Sequence, residues 1–223
     1  MEQEIISRFV DYCDQHLDFN IESPDGYSSA PLCALDSVFS IGVRYGSVIN
    51  VVTRFLELCG GLTMDTTIST SEVLAKLEQH SPEALSELLH NYQRTDTHKR
   101  SILKSEAYLQ FLHVMQAFNI ETCDDIRKNV NNCEFQTAIR SIRGQTSGLT
   151  VDYLFILANV ENYVKVDRHI ERFVRNAVGD PSLNKYQIIE IVRRGAERMS
   201  QNAHPGMNAR HLDHIIWKMQ SQN

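Results

Sequence analysis

Apolar residues recur along most of the chain at the three- and four-residue spacing of amphipathic helices. The first such segment is residues 2–16, where Ile5, Ile6, Phe9 and Val10 form the apolar face. No segment shows the alternating pattern of a strand, and no internal repeat is present, so we predict an all-α chain of about ten or eleven helices. Further helices are predicted over residues 32–41, 47–58, 70–79, 98–118, 122–129, 134–142, 149–158, 184–201 and 208–220, after Ser81, and from Asp167 to about 178.

Polar and glycine residues mark several helix ends. Residues 20–31 are rich in Ser, Pro, Gly and Asp and predict a loop. Ser47 follows a break between two glycines and is predicted to cap the next helix, which Gly60 and Gly61 end. Ser81 precedes a proline and an acidic residue, a pattern typical of a helix start.

The length and the amino-acid composition are those of a globular protein. The chain has 223 residues, of which 42% are hydrophobic and 22% are charged. No apolar run reaches the length of a membrane span, about 18 residues, and residues 1–4 lack the basic start of a secretory signal. We therefore expect a cytoplasmic protein without a membrane partner, associated with the nucleoid if the source is bacterial.

Cysteine usage excludes several kinds of site. The five cysteines are scattered, and none forms a C-x-x-C pair. This pattern indicates free thiols and argues against a disulfide framework, a zinc ribbon or an iron–sulfur cluster. The cysteines are Cys13, Cys33, Cys59, Cys123 and Cys133.

The formal net charge of −6 argues against a nucleic-acid partner unless basic residues are concentrated locally. They are concentrated in and beside residues 141–174, while acids gather over 11–22 and 72–87. A basic face is therefore possible in an acidic protein. Its residues are Arg140, Arg143, Lys165, Arg168, Arg172 and Arg175.

The same stretch contains a short loop with two glycines, Gly144 and Gly148, an apolar segment, and then Asp167 at the start of another helix. Glycines let backbone N–H groups face a phosphate, and the following helix adds its positive end. An ordinary turn explains the two glycines equally well when they are taken alone. Asp167 has a structural explanation too, as a helix N-cap, and this is compatible with a chemical role.

The order of glycine loop, helix and Asp167 resembles the helix–hairpin–helix superfamily of base-excision DNA glycosylases. The family's hairpin, roughly L-P-G-V-G-x-K-T-A, corresponds to residues 142–150, and its V-D-T-H corresponds to residues 166–169. The resemblance implies two helical lobes with the active-site cleft between them. It places a central lobe over residues 31–158, ending in the hairpin motif, and a second lobe over residues 1–30 and 159–223.

The resemblance also implies roles for individual residues. Asp167 is the expected catalytic carboxylate, which stabilises positive charge on the deoxyribose and orients or deprotonates the attacking water. The expected partner is double-stranded DNA carrying a damaged or modified base, bound by a monomer without cofactor or metal. The expected DNA-binding residues are Arg143, Gly144, Gln145, Thr146, Ser147, Gly148, Thr150, Lys165, Arg168 and His169.

Residues that differ from the family's motif limit which of the family's reactions can be expected. Members that also cut the strand have a lysine where this chain has Gly148, and glycine cannot form a Schiff base. We therefore expect a monofunctional enzyme that leaves an abasic site. Thr146 replaces the second hairpin glycine, the family's iron–sulfur cysteines are absent, and no intercalating glutamine is evident around Ser40.

Two sets of residues have weaker signals. Asp36, Arg44 and Tyr45 are candidates for the base pocket by position in the family, although a structural role explains each of them better. Asp152 is a candidate because an acid is unusual within an apolar helix, and Tyr153 beside it is explained better as a core residue than as one that stacks on a base. His204, His211, Asp213 and His214 suggest a metal cluster, but they complete no recognised ligand pattern, so we expect no metal site.

Three functions remain open from the sequence. The first is a DNA glycosylase, whose target base could be alkylated, deaminated, oxidised, or hypermodified as in viral DNA, which would make it a defence enzyme. The second is a DNA-binding module of the same fold without catalysis. The third is a helical protein–protein adaptor in which the motif match is accidental.

Overall fold

The computed structural model describes residues 2–23, 25–96 and 100–221. Within these residues the chain forms twelve α-helices, and the only β-type pairing is an isolated bridge between Arg94 and Leu103. The predicted all-α class is confirmed. None of the described helices is both long and apolar enough to cross a bilayer. The helices are α1 (Glu2–His16), α2 (Ala30–Phe39), α3 (Tyr45–Leu58), α4 (Thr70–Leu77), α5 (Pro82–Leu88), α6 (Lys104–Ala117), α7 (Cys123–Lys128), α8 (Cys133–Ser141), α9 (Leu149–Leu157), α10 (Arg168–Val178), α11 (Lys185–Gln201) and α12 (Ala209–Ser221).

The chain forms two compact units, one of residues 26–159 and one of residues 1–25 with 160–223. The divisions fall after residues 25 and 159, where the sequence predicts 30 and 158. The first unit contains α2 to α9, and the second contains α1 and α10 to α12.

Helix α2 is the centre of the 26–159 unit. All ten of its residues are buried, and it packs against α3, α6 and α9. A helix that is apolar on all sides is expected in such a position. Its carboxyl end is capped by Lys104, whose Nζ donates to the carbonyl oxygens of Phe39 and Ile41 at 2.9 and 2.8 Å. Burial lowers the pKa of Lys104 to about 8.

The four helices of the other unit pack against one another around a shared apolar core. Phe9 of α1 is fully buried and meets Phe173 of α10 edge to face, with ring centroids 6.4 Å apart. Gly195 of α11 lies directly against Phe9, since a Cβ added there would be 2.5 Å from the ring carbon Cδ1. Helices α1 and α11 therefore approach closely because position 195 has no side chain.

Two predicted helix starts are wrong, and hydrogen bonds seen in the structure explain both. Helix α3 begins at Tyr45, and Ser47 lies in its first turn, where its hydroxyl donates to the Arg44 carbonyl at 2.8 Å. Helix α6 begins at Lys104, well after the predicted start at residue 98, which is outside the described residues. Residues 100–103 are drawn away from helix by the bridge to Arg94 and by the bond from the Thr95 N–H to the Ile102 carbonyl, 2.9 Å.

Candidate functional site

The two glycines of the predicted hairpin both adopt the left-handed backbone conformation. Helix α8 ends at Ser141 and α9 begins at Leu149, and the connection contains two consecutive turns. The Gln145 N–H closes the first on the Ile142 carbonyl at 2.9 Å, and the Gly148 N–H closes the second on the Gln145 carbonyl at 3.1 Å. Their φ values, +85° at Gly144 and +79° at Gly148, are those that glycine adopts without strain.

Gly148 is the N-cap of α9 and is buried. A Cβ at this position would lie 3.0 Å from Nε of Arg140, whose guanidinium covers it. Positive φ and lack of space together disfavour any larger residue, including the lysine found in strand-cutting relatives of the resembled family. Glycine also supplies no side-chain cap, so the first turn of α9 keeps donors for another acceptor.

The hairpin residues differ in how far they reach solvent. Thr146 and Ser147 are exposed, and their backbone N–H groups make no hydrogen bond within the described residues. Gln145 and Thr150 are buried at 3% and 1% exposure, and the Thr150 hydroxyl donates to Oε1 of Gln145. These two side chains brace the loop from inside, so neither is exposed to a ligand as the resemblance had implied.

Arg143 is exposed on the first turn of the hairpin. Its Nη1 donates to the Arg100 carbonyl at 2.8 Å, which fixes the direction of the guanidinium. The other donors of the guanidinium group stay available, since the group carries five.

Asp167 is the N-cap of α10. Its Oδ1 accepts hydrogen bonds from the N–H groups of His169 and Ile170 at 2.8 and 3.2 Å. Its Oδ2 lies 3.8 Å from Nζ of Lys165, and the two side chains are 19% and 17% exposed. The carboxylate is therefore held in one orientation, with one oxygen used by the helix and the other facing a cation.

A further residue positions this segment. Asp213 of α12 is 4% exposed, and its Oδ1 accepts from the Lys165 N–H at 3.0 Å. The bond fixes the backbone two residues before Asp167. The sequence indicated Asp213 only as part of a histidine cluster, whereas the structure shows a bond to a residue 48 positions away in the chain.

The remaining DNA-binding candidates flank Asp167. Arg168 is exposed, and its Nε lies 3.5 Å from Nε2 of His169. His169 is half-buried, and its Nδ1 is buried without a hydrogen-bond partner among the described residues. The hairpin and Asp167 belong to different units of the chain, residues 26–159 and the unit that contains 160–223.

The pocket candidates are mostly interior. Asp36 is fully buried and accepts hydrogen bonds from the Tyr27 hydroxyl at 2.9 Å and from the Ser40 hydroxyl. Asp152 is buried as well, at 3% exposure, and Tyr153 beside it is half-buried. The fourth candidate, Arg44, is exposed at the start of α3. The last, Tyr45, has its side chain outside the described part of the structure.

The histidines of the carboxyl-terminal region have separate partners. Nε2 of His204 lies 3.2 Å from Oδ1 of Asp14, and Nε2 of His211 lies 2.7 Å from the Ile21 carbonyl. His214 stacks near Trp217, and desolvation, with nearby cations, lowers its pKa to about 4. Over the described ranges, no three His, Cys, Asp or Glu side chains converge as a metal site requires.

The chain belongs to the family described as domain of unknown function DUF8548, whose model matches residues 7–221. No curated protein and no solved structure shows significant similarity to this chain.

Proposed function

We propose that this protein is a monofunctional DNA glycosylase, which hydrolyses the N-glycosidic bond of a damaged or modified nucleotide and leaves an abasic site. The observation that carries the proposal is the state of Asp167, a carboxylate fixed as a helix N-cap and partly open to solvent. The resemblance of the hairpin and of residues 166–169 to glycosylases gives this carboxylate its chemical context.

The hairpin supports DNA as the ligand. Two turns, both with a left-handed glycine, present free N–H groups at Thr146 and Ser147 beside the uncapped start of α9. Backbone donors and a helix amino terminus are suited to a phosphate, and they fix the position of DNA without recognising its sequence.

Asp167 supports hydrolysis. As the bond between C1′ and the base breaks, the electron pair leaves with the base and positive charge develops on the sugar. An ionised carboxylate beside the sugar stabilises that charge and orients or deprotonates the water that attacks C1′. Two backbone N–H donors and Lys165 hold the carboxylate in a fixed position. The target nucleotide must leave the base stack for this to occur.

Gly148 supports the absence of a strand-cutting step. Glycine presents no amine from this position, and a larger residue would have to adopt a left-handed backbone and displace the Arg140 guanidinium. The product of the proposed reaction is therefore an abasic site with the strand intact.

A second candidate function is a DNA-binding module without catalysis. It is favoured by the contacts of both carboxylate oxygens of Asp167. Oδ1 accepts from two helix N–H groups, and Oδ2 faces Lys165. A carboxylate engaged on both oxygens has less freedom to orient a water. In this case the segment would serve only as a helix cap.

One screen distinguishes these functions. The full chain is incubated with labelled duplexes carrying alkylated, deaminated, oxidised or hypermodified bases, and alkali is then added to cut at abasic sites. Alkali-dependent cleavage of one class is the expected result, and cleavage of hypermodified cytosine in particular would indicate a role in defence against viral DNA. DNA binding without cleavage of any duplex would support the binding module. Absence of binding even at low salt would contradict both.

A further inference from the structure

A second loop of the 26–159 unit lies against the glycine hairpin. It connects α5 to α6 and is closed at its base by the Arg94–Leu103 bridge and by the bond from the Lys104 N–H to the Gln93 carbonyl, 2.9 Å. Of its residues, 97–99 lie outside the described part of the chain. We call the described residues 91–96 and 100–103 the arginine loop, because Arg94 and Arg100 are both exposed on it.

Two contacts join the arginine loop to the hairpin. Nη1 of Arg143 donates to the Arg100 carbonyl at 2.8 Å. Gly144 packs so closely on Thr95 that an added Cβ would overlap both Cβ and Oγ1 of that threonine. The Thr95 hydroxyl is buried there, with no hydrogen-bond partner in the described structure. The loop and the hairpin therefore form one continuous surface.

The arginines on this surface have no ionic partner among the residues that the structure describes. Four exposed arginines lie on the loop, on the hairpin and on the helix before it, and none has a carboxylate within 4 Å among the described residues. Two exposed cations elsewhere do have such partners, since Arg8 pairs with Glu4 and Lys128 with Asp125. In a chain of net charge −6, an unpaired cluster of this kind is a local basic face. Its members are Arg94, Arg100, Arg140 and Arg143.

The arginines are also preorganised to different degrees. Arg94 uses Nη1 for the Ser101 carbonyl at 2.6 Å, and Arg143 uses one donor for Arg100. Each is oriented by a single bond and keeps other donors free. The Arg100 side chain makes no hydrogen bond within the described residues, so its whole guanidinium is available to a ligand.

We propose that the arginine loop is a second DNA-contact segment, in which Arg94 and Arg100 bind backbone phosphates beside those held by the glycine hairpin. The inference rests on the proposed function, in that DNA is taken as the ligand. It assigns the loop to affinity and placement, because phosphate contacts of arginine are independent of base sequence.

The test measures how salt weakens the binding of a short fluorescein-labelled duplex by fluorescence anisotropy. The variant Arg94→Gln/Arg100→Gln removes two charges and leaves the Arg100 carbonyl in place for Arg143. Each lost phosphate contact lowers the slope of log affinity against log salt by about 1, so the double variant is expected to lower it by about 2. Lys76→Gln/Lys128→Gln removes the same charge from two exposed lysines of the same unit and is expected to leave the slope unchanged.

The outcomes separate this inference from the proposed function. An unchanged slope in the arginine variant, or an equal loss in the lysine variant, overturns the inference even if the wild-type chain produces abasic sites. A reduced slope in the arginine variant alone supports it, even if no abasic product forms and the proposed reaction fails. Thermal unfolding of the single variant Arg100→Gln checks the fold, since its side chain holds no structural bond, and its slope is expected to fall by about 1.

Discussion

Replacing Gly144 by alanine tests how the hairpin is built. The new Cβ would overlap Cβ and Oγ1 of Thr95, a residue that is only 9% exposed. Gly42 offers a matched control in the same unit, with φ +72° and no atom within 4 Å of an added Cβ. The two substitutions therefore share the backbone strain and differ in the steric overlap.

The magnitudes follow from these two effects. Left-handed backbone at a non-glycine residue costs about 1–2 kcal/mol, and restriction of the unfolded chain returns about 0.4–1 kcal/mol of that. Gly42→Ala should thus lower the free energy of unfolding by about 1 kcal/mol. Gly144→Ala adds the overpacking of a filled site, about 1–3 kcal/mol, for a total of about 2–4 kcal/mol.

Urea unfolding followed by far-ultraviolet circular dichroism measures both variants. Hydrogen exchange of residues 94–96 and 100–103 should also increase in Gly144→Ala and stay unchanged in Gly42→Ala, because only the first displaces the arginine loop. Thr95→Gly in the Gly144→Ala background removes the overlap and should recover most of the added loss. Equal losses at the two glycines would refute the close packing of the hairpin on Thr95.

Three further predictions concern stability. The folded chain releases the Lys104 proton near pH 8 and the unfolded chain near 10.5, so the free energy of unfolding should rise with pH across that interval. Lys104→Met should reduce this rise, and an equally steep rise in the variant would contradict the burial of the amine. His214 has a pKa lowered from 6.5 to about 4, so the free energy of unfolding should fall as the pH drops through this interval. His214→Gln should reduce that fall in acid titrations monitored by circular dichroism, and an unchanged fall would show that other groups cause it. Gly195→Ala should lower the urea midpoint, because overlap with Phe9 costs about 1–3 kcal/mol and outweighs the roughly 1 kcal/mol gained in helix propensity; a higher midpoint would show that α1 and α11 are further apart.

Three helix starts were predictable from caps that form within one turn, whereas the local signal at Ser47 was misleading. Ser81 accepts from the Ala84 N–H, Thr122 forms a reciprocal capping box with Asp125, and Asn184 forms one with Gln187. Such caps depend on residues within one turn. The start of α6 was not predictable, because residues 100–103 pair with the segment before them and periodicity does not reveal that pairing.

In the candidate site, too, local features were predictable from the sequence and long-range contacts were not. The left-handed conformation of Gly148 and the capping role of Asp167 follow from residue type and neighbours. The bonds from the Lys165 N–H to Asp213 Oδ1 and from Arg143 to the Arg100 carbonyl join residues 48 and 43 positions apart. No local pattern contains such contacts, and for this reason the positioning role of Asp213 and the arginine loop emerged only from the structure.

The variant Asp167→Asn tests the central claim most directly, because asparagine caps helices about as well as aspartate and can accept the same two N–H bonds. The measurement is the single-turnover rate of abasic-site formation on the duplex that the wild-type chain cleaves. Loss of the carboxylate charge is expected to lower this rate by at least about 100-fold, with DNA affinity and unfolding free energy nearly unchanged. Asp180→Asn, which removes an equal charge from a turn in the same unit, should keep the wild-type rate. An Asp167→Asn protein as fast as the wild type would contradict the proposed role of Asp167.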